Sequence, residues 1–417
     1  MKKQVLLMLA LLASATTNAQ TVVNDSVTLG NGYANQVWYS LKNDEQGTQP
    51  KNNWDIAFSL KDITSPVMIN SVSGVMLWGY PKATATGWAS AVDTNGMSTW
   101  TARYNSDTSW ALGAMGNYAD PNNGFDLDWG IYDMSTHKIT ADSFYIVKLG
   151  NGAYKKLMIQ SLISGTYTFK YADLDGNNET TATIVKGNYA GKNFAYYSIQ
   201  NGAAIDREPA AGNWDLTFTQ YTGFVPIPYT VTGVLHNRGV RVAQVGNLSD
   251  KNTYTNYGAH TFESPINVIG YDWKNNMGVV KDSLVYFIET AENAIWKVIF
   301  TKFTSGMTGS GTMSFSKQEL VGTGINNEVQ ERVATLALYP NPSTGQDVTV
   351  VYSLKNNNRN VMLSLFDMTG KRVLTQELQT TAGLYQHRVS ANGLQAGMYI
   401  VSLQTDAGAV QQRLIVK

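Results

Sequence analysis

The sequence predicts an all-β protein made of two tandem antiparallel β-rich units followed by a small C-terminal immunoglobulin-like β-sandwich. Short runs of β-branched and aromatic residues alternate with polar residues from about residue 21 to residue 320, and turn residues separate them. Helical periodicity over three turns is hard to find, which favours sheets throughout. A second observation, an internal duplication, divides this β-rich part into two units.

The duplication is clearest in a stretch that begins Asn-Trp-Asp at residues 53–58 and again at residues 213–218, where the offset is 214 − 54 = 160. A second pair of similar segments, residues 72–75 and 231–234, follows at 233 − 74 = 159. Two motifs that keep nearly the same offset indicate that a whole unit was duplicated.

Further along the chain the offset falls. Gly130 matches Gly270 at 270 − 130 = 140, and Lys156 matches Lys297 at 297 − 156 = 141. The fall from 159 to 140 predicts about nineteen extra residues in the first copy, between residues 74 and 130.

The N-terminus has the features of a secretory signal peptide. Lys2 and Lys3 precede an apolar core at residues 5–15 and a small-residue segment at residues 17–20. The mature protein is therefore expected to leave the cytoplasm. Beyond this segment no apolar run reaches the roughly 20 residues that a membrane-spanning helix needs, so no transmembrane span is predicted.

Charge and cysteine content exclude several kinds of function. The chain has 31 basic and 31 acidic residues without a long run of either sign, so binding to nucleic acid through a basic surface is not expected. It has no cysteine, which excludes disulfides, thiolate metal sites and cysteine nucleophiles.

The last 80 residues read as a separate domain with six or seven short strands after a polar segment rich in Gly and Asn. The predicted organisation is a signal peptide at residues 1–20, repeat units at 21–184 and 185–321, a linker at 322–334 and a final domain at 335–417.

The final domain resembles the C-terminal sorting domain of the type IX secretion system of the Bacteroidetes. The resemblance implies export across the outer membrane, to the cell surface or the extracellular space, with the type IX machinery as partner. The residues that carry the motif are Tyr339, Pro340, Asn341, Pro342, Gly345, Gly370, Gly397 and Tyr399.

The two repeats resemble the HmuY family of secreted or surface haem-binding proteins, which are β-rich. The matching segments are residues 38–41, 54–58, 145–147, 152–157 and 165–171, mainly strand-forming residues of the first copy. The resemblance implies haem as cofactor and a binding role.

Haem iron would need axial His or Met ligands. Of the four His, the one at position 387 lies in the final domain and His137 is the only one in the first copy, so two His ligands within that copy are impossible. Met134 lies nearby, and Met277 matches His137 at 277 − 137 = 140. The candidate haem ligands are therefore His137, Met134 and Met277.

Two other functions remain open. The irregular segment from about residue 81 to 129 carries many Trp and Tyr residues, which could form a platform for a carbohydrate or a protein, or could pin loops onto the sheet. A secreted hydrolase is more remote, because Asp55 and Asp215 occupy equivalent positions in separate copies and no catalytic motif is found. The chain is therefore not expected to be an enzyme.

Overall fold

The structure is a computed structural model that describes residues 21–224, 226–322, 336–354, 356–367, 371–406 and 408–417. The predicted signal peptide, most of the predicted linker and Gly370 lie outside the described residues. The chain divides into a repeat unit (Met1–Ala291 and Ile295–Leu320) and a tail unit (Val321–Lys417 with Glu292–Ala294).

The described residues form strands and short 3-10 turns, which confirms the predicted all-β fold. The first repeat and its flanks contain β1 Val23–Thr28, β2 Asn35–Ser40, β3 Asp44–Pro50, β4 Ile56–Ser59, β5 Val67–Ile69, β6 Met76–Gly79, β7 Ala102–Arg103, β8 Gly130–Asp133, β9 Lys138–Ala141, β10 Tyr145–Lys148, β11 Tyr154–Ile163, β12 Thr166–Ala172 and β13 Thr180–Val185. The second contains β14 Phe194–Ser198, β15 Ala203–Ile205, β16 Leu216–Phe224, β17 Pro228–His236, β18 Arg241–Val245, β19 Val285–Glu289, β20 Ile295–Phe303 and β21 Thr312–Val321.

Each repeat has one outer sheet. In the first repeat the order is β13-β12-β11-β10-β6-β7, with β8 and β9 attached at β11. In the second repeat the order is β1-β21-β20-β19-β18. The first strand of the chain, β1, therefore completes the outer sheet of the second repeat, where Val23 pairs with Lys317 and Thr28 with Thr312.

Two inner sheets exchange strands between the repeats. The β2–β3 hairpin of the first repeat pairs with β16–β17 of the second, in the order β17-β16-β2-β3. The β14–β15 hairpin of the second repeat pairs with β4–β5 of the first, in the order β15-β14-β4-β5. Because each inner sheet takes two strands from each repeat, the two copies form one interlocked body.

The Asp of each Asn-Trp-Asp stretch fastens this exchange. The Asp55 carboxylate accepts hydrogen bonds from Ser198 Oγ (3.1 Å), Gln200 N (3.1 Å) and Gln200 Nε2 (2.8 Å), all on the exchanged hairpin of the other copy. In the same way, Asp215 Oδ2 accepts from Leu41 N at 2.8 Å. These carboxylates satisfy backbone and side-chain donors where the hairpins turn.

Two asparagines hold the next turn of each copy. Asn70 Nδ2 donates to the Trp54 carbonyl at 2.9 Å, and Asn237 Nδ2 donates to the Trp214 carbonyl at 2.7 Å. The two asparagines are 237 − 70 = 167 residues apart, whereas the two tryptophans are 160 apart. The second copy is therefore seven residues longer between its Trp and its Asn.

This equivalence corrects part of the sequence matching. Residues 71–73 form a 3-10 turn after β5, whereas residues 231–234 lie inside β17, so these segments are not equivalent. Gly270 forms an isolated β-bridge with Val234, and in the first copy Met115 forms the corresponding bridge with Val67. Gly270 is therefore equivalent to Met115 and not to Gly130. The offset between the copies falls from 167 at the asparagines to 141 at the lysines. The first copy therefore has 167 − 141 = 26 more residues than the second between these positions, whereas nineteen were predicted. Short Val- and Gly-containing strings recur by chance in β-rich chains, which explains the error.

The match of Lys156 with Lys297 is confirmed by their contacts. Both are buried, at 1% and 3% exposure. Lys156 Nζ donates to the carbonyls of Trp88 (2.6 Å) and Ser90 (3.1 Å), and Lys297 Nζ donates to that of Asn252 (2.6 Å). Each lysine therefore pins a long loop onto its outer sheet.

The tail unit has a three-stranded sheet, β22-β23-β26, and a four-stranded sheet, β25-β24-β27-β28, around one apolar core. Its strands are β22 Leu336–Tyr339, β23 Val348–Leu354, β24 Met362–Phe366, β25 Arg372–Glu377, β26 Gly383–Val389, β27 Gly397–Thr405 and β28 Gly408–Val416.

Candidate functional site

A cavity lies between the two inner sheets, at the junction of the repeats. Its internal volume is about 110 Å³, enough for several waters or part of a small ligand. Four of the ten tryptophans line it, Trp38 and Trp54 from the first repeat, Trp214 from the second, and Trp110 from a long loop of the first. A concave, aromatic-lined space of this kind is typical of a small-molecule site.

Arg207 fixes the aromatic wall of the cavity. Its buried guanidinium carbon lies 5.2 Å from the ring centre of Trp38, 5.8 Å from that of Trp54 and 5.0 Å from that of Tyr196. It also donates to Gln36 Oε1 at 2.9 Å. Cation–π contacts with three rings hold the wall in one arrangement before any ligand arrives.

Three residues that line the cavity carry a buried polar atom without a hydrogen-bond partner among the described residues: Asn70 Oδ1, Trp214 Nε1 and Tyr221 Oη. The first accepts, the second donates and the third can do both. Burial, followed by the negative charge of Asp107, raises the pKa of Tyr221, so the phenol stays protonated. Unpaired buried polar groups are costly, and a ligand that pairs them would recover that free energy.

The charged groups of the cavity are mixed in sign. Glu208 is 2% exposed and accepts from Phe194 N at 3.0 Å and Tyr196 Oη at 3.3 Å. Burial raises the pKa of Glu208 to about 7. Asp107 adds a second carboxylate and Lys51 a cation that donates to Gln220 Oε1. The cavity therefore has no excess of positive charge for an anion.

The loop that supplies Asp107 and Trp110 is held by both repeats. Asn105 Oδ1 accepts from Ile69 N at 2.9 Å, which ties the loop to β5. Arg238 of the second repeat donates to the Trp110 carbonyl at 3.0 Å and forms two hydrogen bonds of 2.7 Å to Asp62. The loop is therefore a fixed wall of the cavity.

The predicted haem ligands lie elsewhere. Met134 and His137 occupy the exposed turn between β8 and β9, where His137 Nδ1 pairs with Tyr132 Oη at 2.8 Å. Met277 lies in a separate turn of the second repeat with 85% exposure. None of the three lines the cavity. Exposed turns offer neither an apolar pocket nor ligands on opposite faces of the iron, so these residues do not fit an enclosed haem.

Within the described ranges, no cluster of three or more His, Asp or Glu residues could hold a metal ion. His236 has a structural role, since its ring nitrogens contact the carbonyls of Asn237 (3.2 Å) and Pro265 (2.7 Å). Burial lowers the pKa of His236, which favours the neutral ring.

The aromatic segment of the first repeat packs loops onto the sheet, which is one of the two roles that the sequence left open. Trp88 and Trp129 are buried and pack loops onto the outer sheet, whereas Trp110 lines the cavity. Sequence reasoning missed Arg207 and Glu208. The signal that could have found them is an adjacent acid–base pair that has no counterpart in the first copy, where the offset of 160 places Gly47 and Thr48.

The predicted sorting residues surround the last strand of the tail. Asn341 Nδ2 donates to the Arg413 carbonyl at 2.6 Å, and Ile415 N donates to Asn341 Oδ1 at 3.0 Å. Pro340 and Pro342 follow cis peptide bonds. The other described members of the motif are Tyr339, exposed at the end of β22, Gly345 with φ of 83°, Gly397 at the start of β27, and Tyr399, buried with its hydroxyl on Gln395 O.

Comparisons with known proteins match the tail. Residues 337–417 match the family described as the secretion system C-terminal sorting domain. A search of curated proteins finds no match. Among solved structures, dimeric latent PorU from Porphyromonas gingivalis is similar at 10% identity and a TM-score of 0.18, with 94% of this chain and 34% of that chain covered.

Escherichia coli α-2-macroglobulin activated by porcine elastase is similar at 10% identity and a TM-score of 0.17, with coverage of 95% and 33%. The chain thus spans about a third of the length of these two proteins. Neither similarity carries an argument about fold or function.

In the part of the chain that the structure describes, no helix is both long and apolar enough to cross a membrane. The sorting family and the tail geometry together support the export predicted from the sequence. The chain carries a type IX secretion C-terminal sorting domain, which directs it across the outer membrane to the cell surface or the extracellular space.

Proposed function

We propose that this exported protein is a non-enzymatic binding protein whose junction cavity takes a neutral saccharide. The observation that carries the proposal is the cavity itself, in which four tryptophans and three unpartnered polar groups meet between the inner sheets. A sugar ring has apolar C–H faces that stack on indole rings and hydroxyls that both donate and accept.

The charges of the cavity support a neutral ligand. Asp107 and Glu208 face the cations Lys51 and Arg207, and burial raises the pKa of Glu208 to about 7. The charges are therefore close to balanced, which favours neither an anion nor a cation over a neutral ligand. Both repeats contribute to the walls, and the proposal therefore expects one ligand per chain rather than one per repeat.

The test is a titration of the mature chain with neutral mono- and oligosaccharides, chosen by glycan array and followed by tryptophan fluorescence and calorimetry. Tyr221→Phe removes only the unpartnered hydroxyl and is expected to weaken binding about tenfold, the equivalent of one lost hydrogen bond. Tyr104→Phe changes a tyrosine that does not line the cavity and is the matched control. If no saccharide binds, or if Tyr221→Phe binds as the wild type does, the proposal fails.

Catalysis is not part of the proposal, although Asp107 and Glu208 share the cavity. The Glu208 oxygens already accept hydrogen bonds from Asn193 N (3.4 Å), Phe194 N (3.0 Å) and Tyr196 Oη (3.3 Å). These bonds give the carboxylate a structural role in the cavity wall. We expect no release of reducing ends from a bound glycan during prolonged incubation. Cleavage that Glu208→Gln abolishes would instead identify a hydrolase.

The HmuY-like nature of the repeats and their binding of haem remain predictions that come from the family resemblance. A haemin titration followed by absorbance tests the ligand directly. A saturable Soret band that is lost in His137→Ala or Met277→Ala would support haem binding at the exposed turns. A saturable band that both variants retain would exclude these two side chains as ligands.

A further inference from the structure

A second concave surface adjoins the cavity and shares one residue with it. This groove is open to solvent and has a volume of about 350 Å³. Its walls come from residues 108–111 of the first repeat and from residues 237–241, 264 and 266 of the second. Trp110 lines both the cavity and the groove, so this one residue borders both spaces.

Trp110 is held rigidly in that position. Its Nε1 donates to the His236 carbonyl at 2.9 Å, and its ring contacts the edge of Phe194 with the ring centres 5.9 Å apart. Arg238 donates to its carbonyl at 3.0 Å. A preorganised indole between two concave surfaces can contact ligand groups in both without losing side-chain entropy.

The chemistry of the groove fits uncharged, hydroxylated groups. Arg238 is paired with Asp62 and Arg241 with Glu289, so neither arginine presents an uncompensated charge. Ser264 adds an exposed hydroxyl, and the buried Ile266 adds an apolar contact. Hydroxyls beside an apolar floor are the same combination that the cavity presents.

We propose that the cavity and the groove form one extended site for a linear neutral oligosaccharide. One sugar unit enters the cavity, the chain passes Trp110, and the following units lie in the groove. This inference rests on the saccharide function proposed above and adds the requirement for more than one sugar unit.

The experiment compares chain lengths on the mature protein. The probes are glucose and the α-1,4- and β-1,4-linked gluco-oligosaccharides of two to six units, titrated by calorimetry. We expect the affinity for one series to rise about tenfold or more between the monosaccharide and the trisaccharide, because each further ring adds contacts. Ser264→Trp fills the groove from its exposed rim and is expected to abolish this rise while leaving monosaccharide binding intact.

Two variants control for side-chain size and for general surface effects. Ser264→Ala keeps the groove open and should retain the length dependence. Ser249→Trp puts the same bulk on an exposed serine that does not line the groove and should also retain it.

The outcomes separate the two proposals. Binding that is independent of chain length, or a rise that Ser264→Trp leaves intact, would overturn the extended site and leave the saccharide function standing. Failure of every probe to bind would overturn the extended site for these glucans, and failure of the wider glycan array would remove the saccharide function as well.

Discussion

The two repeats share their framework but differ where they line the cavity. Asp55 and Asp215 accept hydrogen bonds from the exchanged hairpins, and Lys156 and Lys297 donate to loop carbonyls, so each pair has the same role in the two copies. In contrast, the acid–base pair at residues 207–208 occurs only in the second copy and the loop that carries Trp110 is longer in the first. Duplicated residues therefore build the fold, and the residues that differ shape the site.

The largest expected effect comes from breaking the shared framework at Asp55. Asp55→Ala leaves the buried Ser198 Oγ and the partly exposed Gln200 N without their acceptor and is expected to reduce the free energy of unfolding by about 3 kcal/mol, given about 1–3 kcal/mol per buried unsatisfied group. Urea unfolding followed by circular dichroism measures it. Asp282→Ala, which removes an exposed carboxylate, should change stability by less than about 0.5 kcal/mol. A similar small change in Asp55→Ala would refute the framework role.

Glu208, a residue without a counterpart in the first copy, is expected to make the stability of the fold depend on pH. Burial holds the pKa of Glu208 at about 7, above its ordinary value of 4.5, so the native state binds more protons than the unfolded state between these values. The stability contribution of Glu208 therefore falls as pH rises from 4.5 to 7, by about 3 kcal/mol.

In the Glu208→Gln variant this dependence should be absent. The measurement is the difference in unfolding free energy between the wild type and the variant at pH 4.5, 6 and 8. His236, whose lowered pKa gives stability that is lost at acid pH, is present in both proteins and cancels. If the unfolding free energies of the wild type and of Glu208→Gln changed with pH in parallel, Glu208 would not have the raised pKa.

Substitution of the paired lysines is expected to lower the free energy of unfolding by a smaller amount, and that amount should differ between the two repeats. Lys156 satisfies two loop carbonyls and Lys297 one, so Lys156→Met should cost about 2 kcal/mol and Lys297→Met about 1 kcal/mol. Thermal and urea unfolding measure both. Lys302→Met, on the same strand as Lys297 but exposed, should have no measurable effect. Equal losses of unfolding free energy in Lys156→Met and Lys297→Met would show that the stabilisation by each lysine does not depend on the number of carbonyls that it binds.

The smallest effect is expected at the exposed turns of the two repeats. His137→Ala and Met277→Ala should each change the free energy of unfolding by less than about 0.5 kcal/mol, because both side chains lie at exposed turns. Urea unfolding checks this without ligand. A loss above about 1 kcal/mol at either position would mean that the turn supports the fold.

Local patterns predicted the sheets well, but they predicted only some of the equivalent positions in the two copies, since residues 72–75 and 231–234 are not equivalent. Alternation of apolar and polar residues identifies half-buried strands such as β12 and β21, and the repeated Trp-Asp pairs mark equivalent positions. The exchange between β2 and β16 could not be predicted, because alternation specifies which face of a strand is buried but not which strand lies beside it. The cavity was missed for the same reason, since its walls meet only through that exchange.

The pairing of β1 with β21 brings the first and last strands of the repeat unit side by side. About 290 residues separate these two strands in the sequence, so their pairing closes a very long loop. The ends of the repeat unit are therefore adjacent, so a permuted chain that begins at β2 and carries β1 after β21 would keep every strand pairing while replacing the longest-range contact with a local hairpin. Such a permutant should reach the same fold faster, because the loop to be closed is shorter.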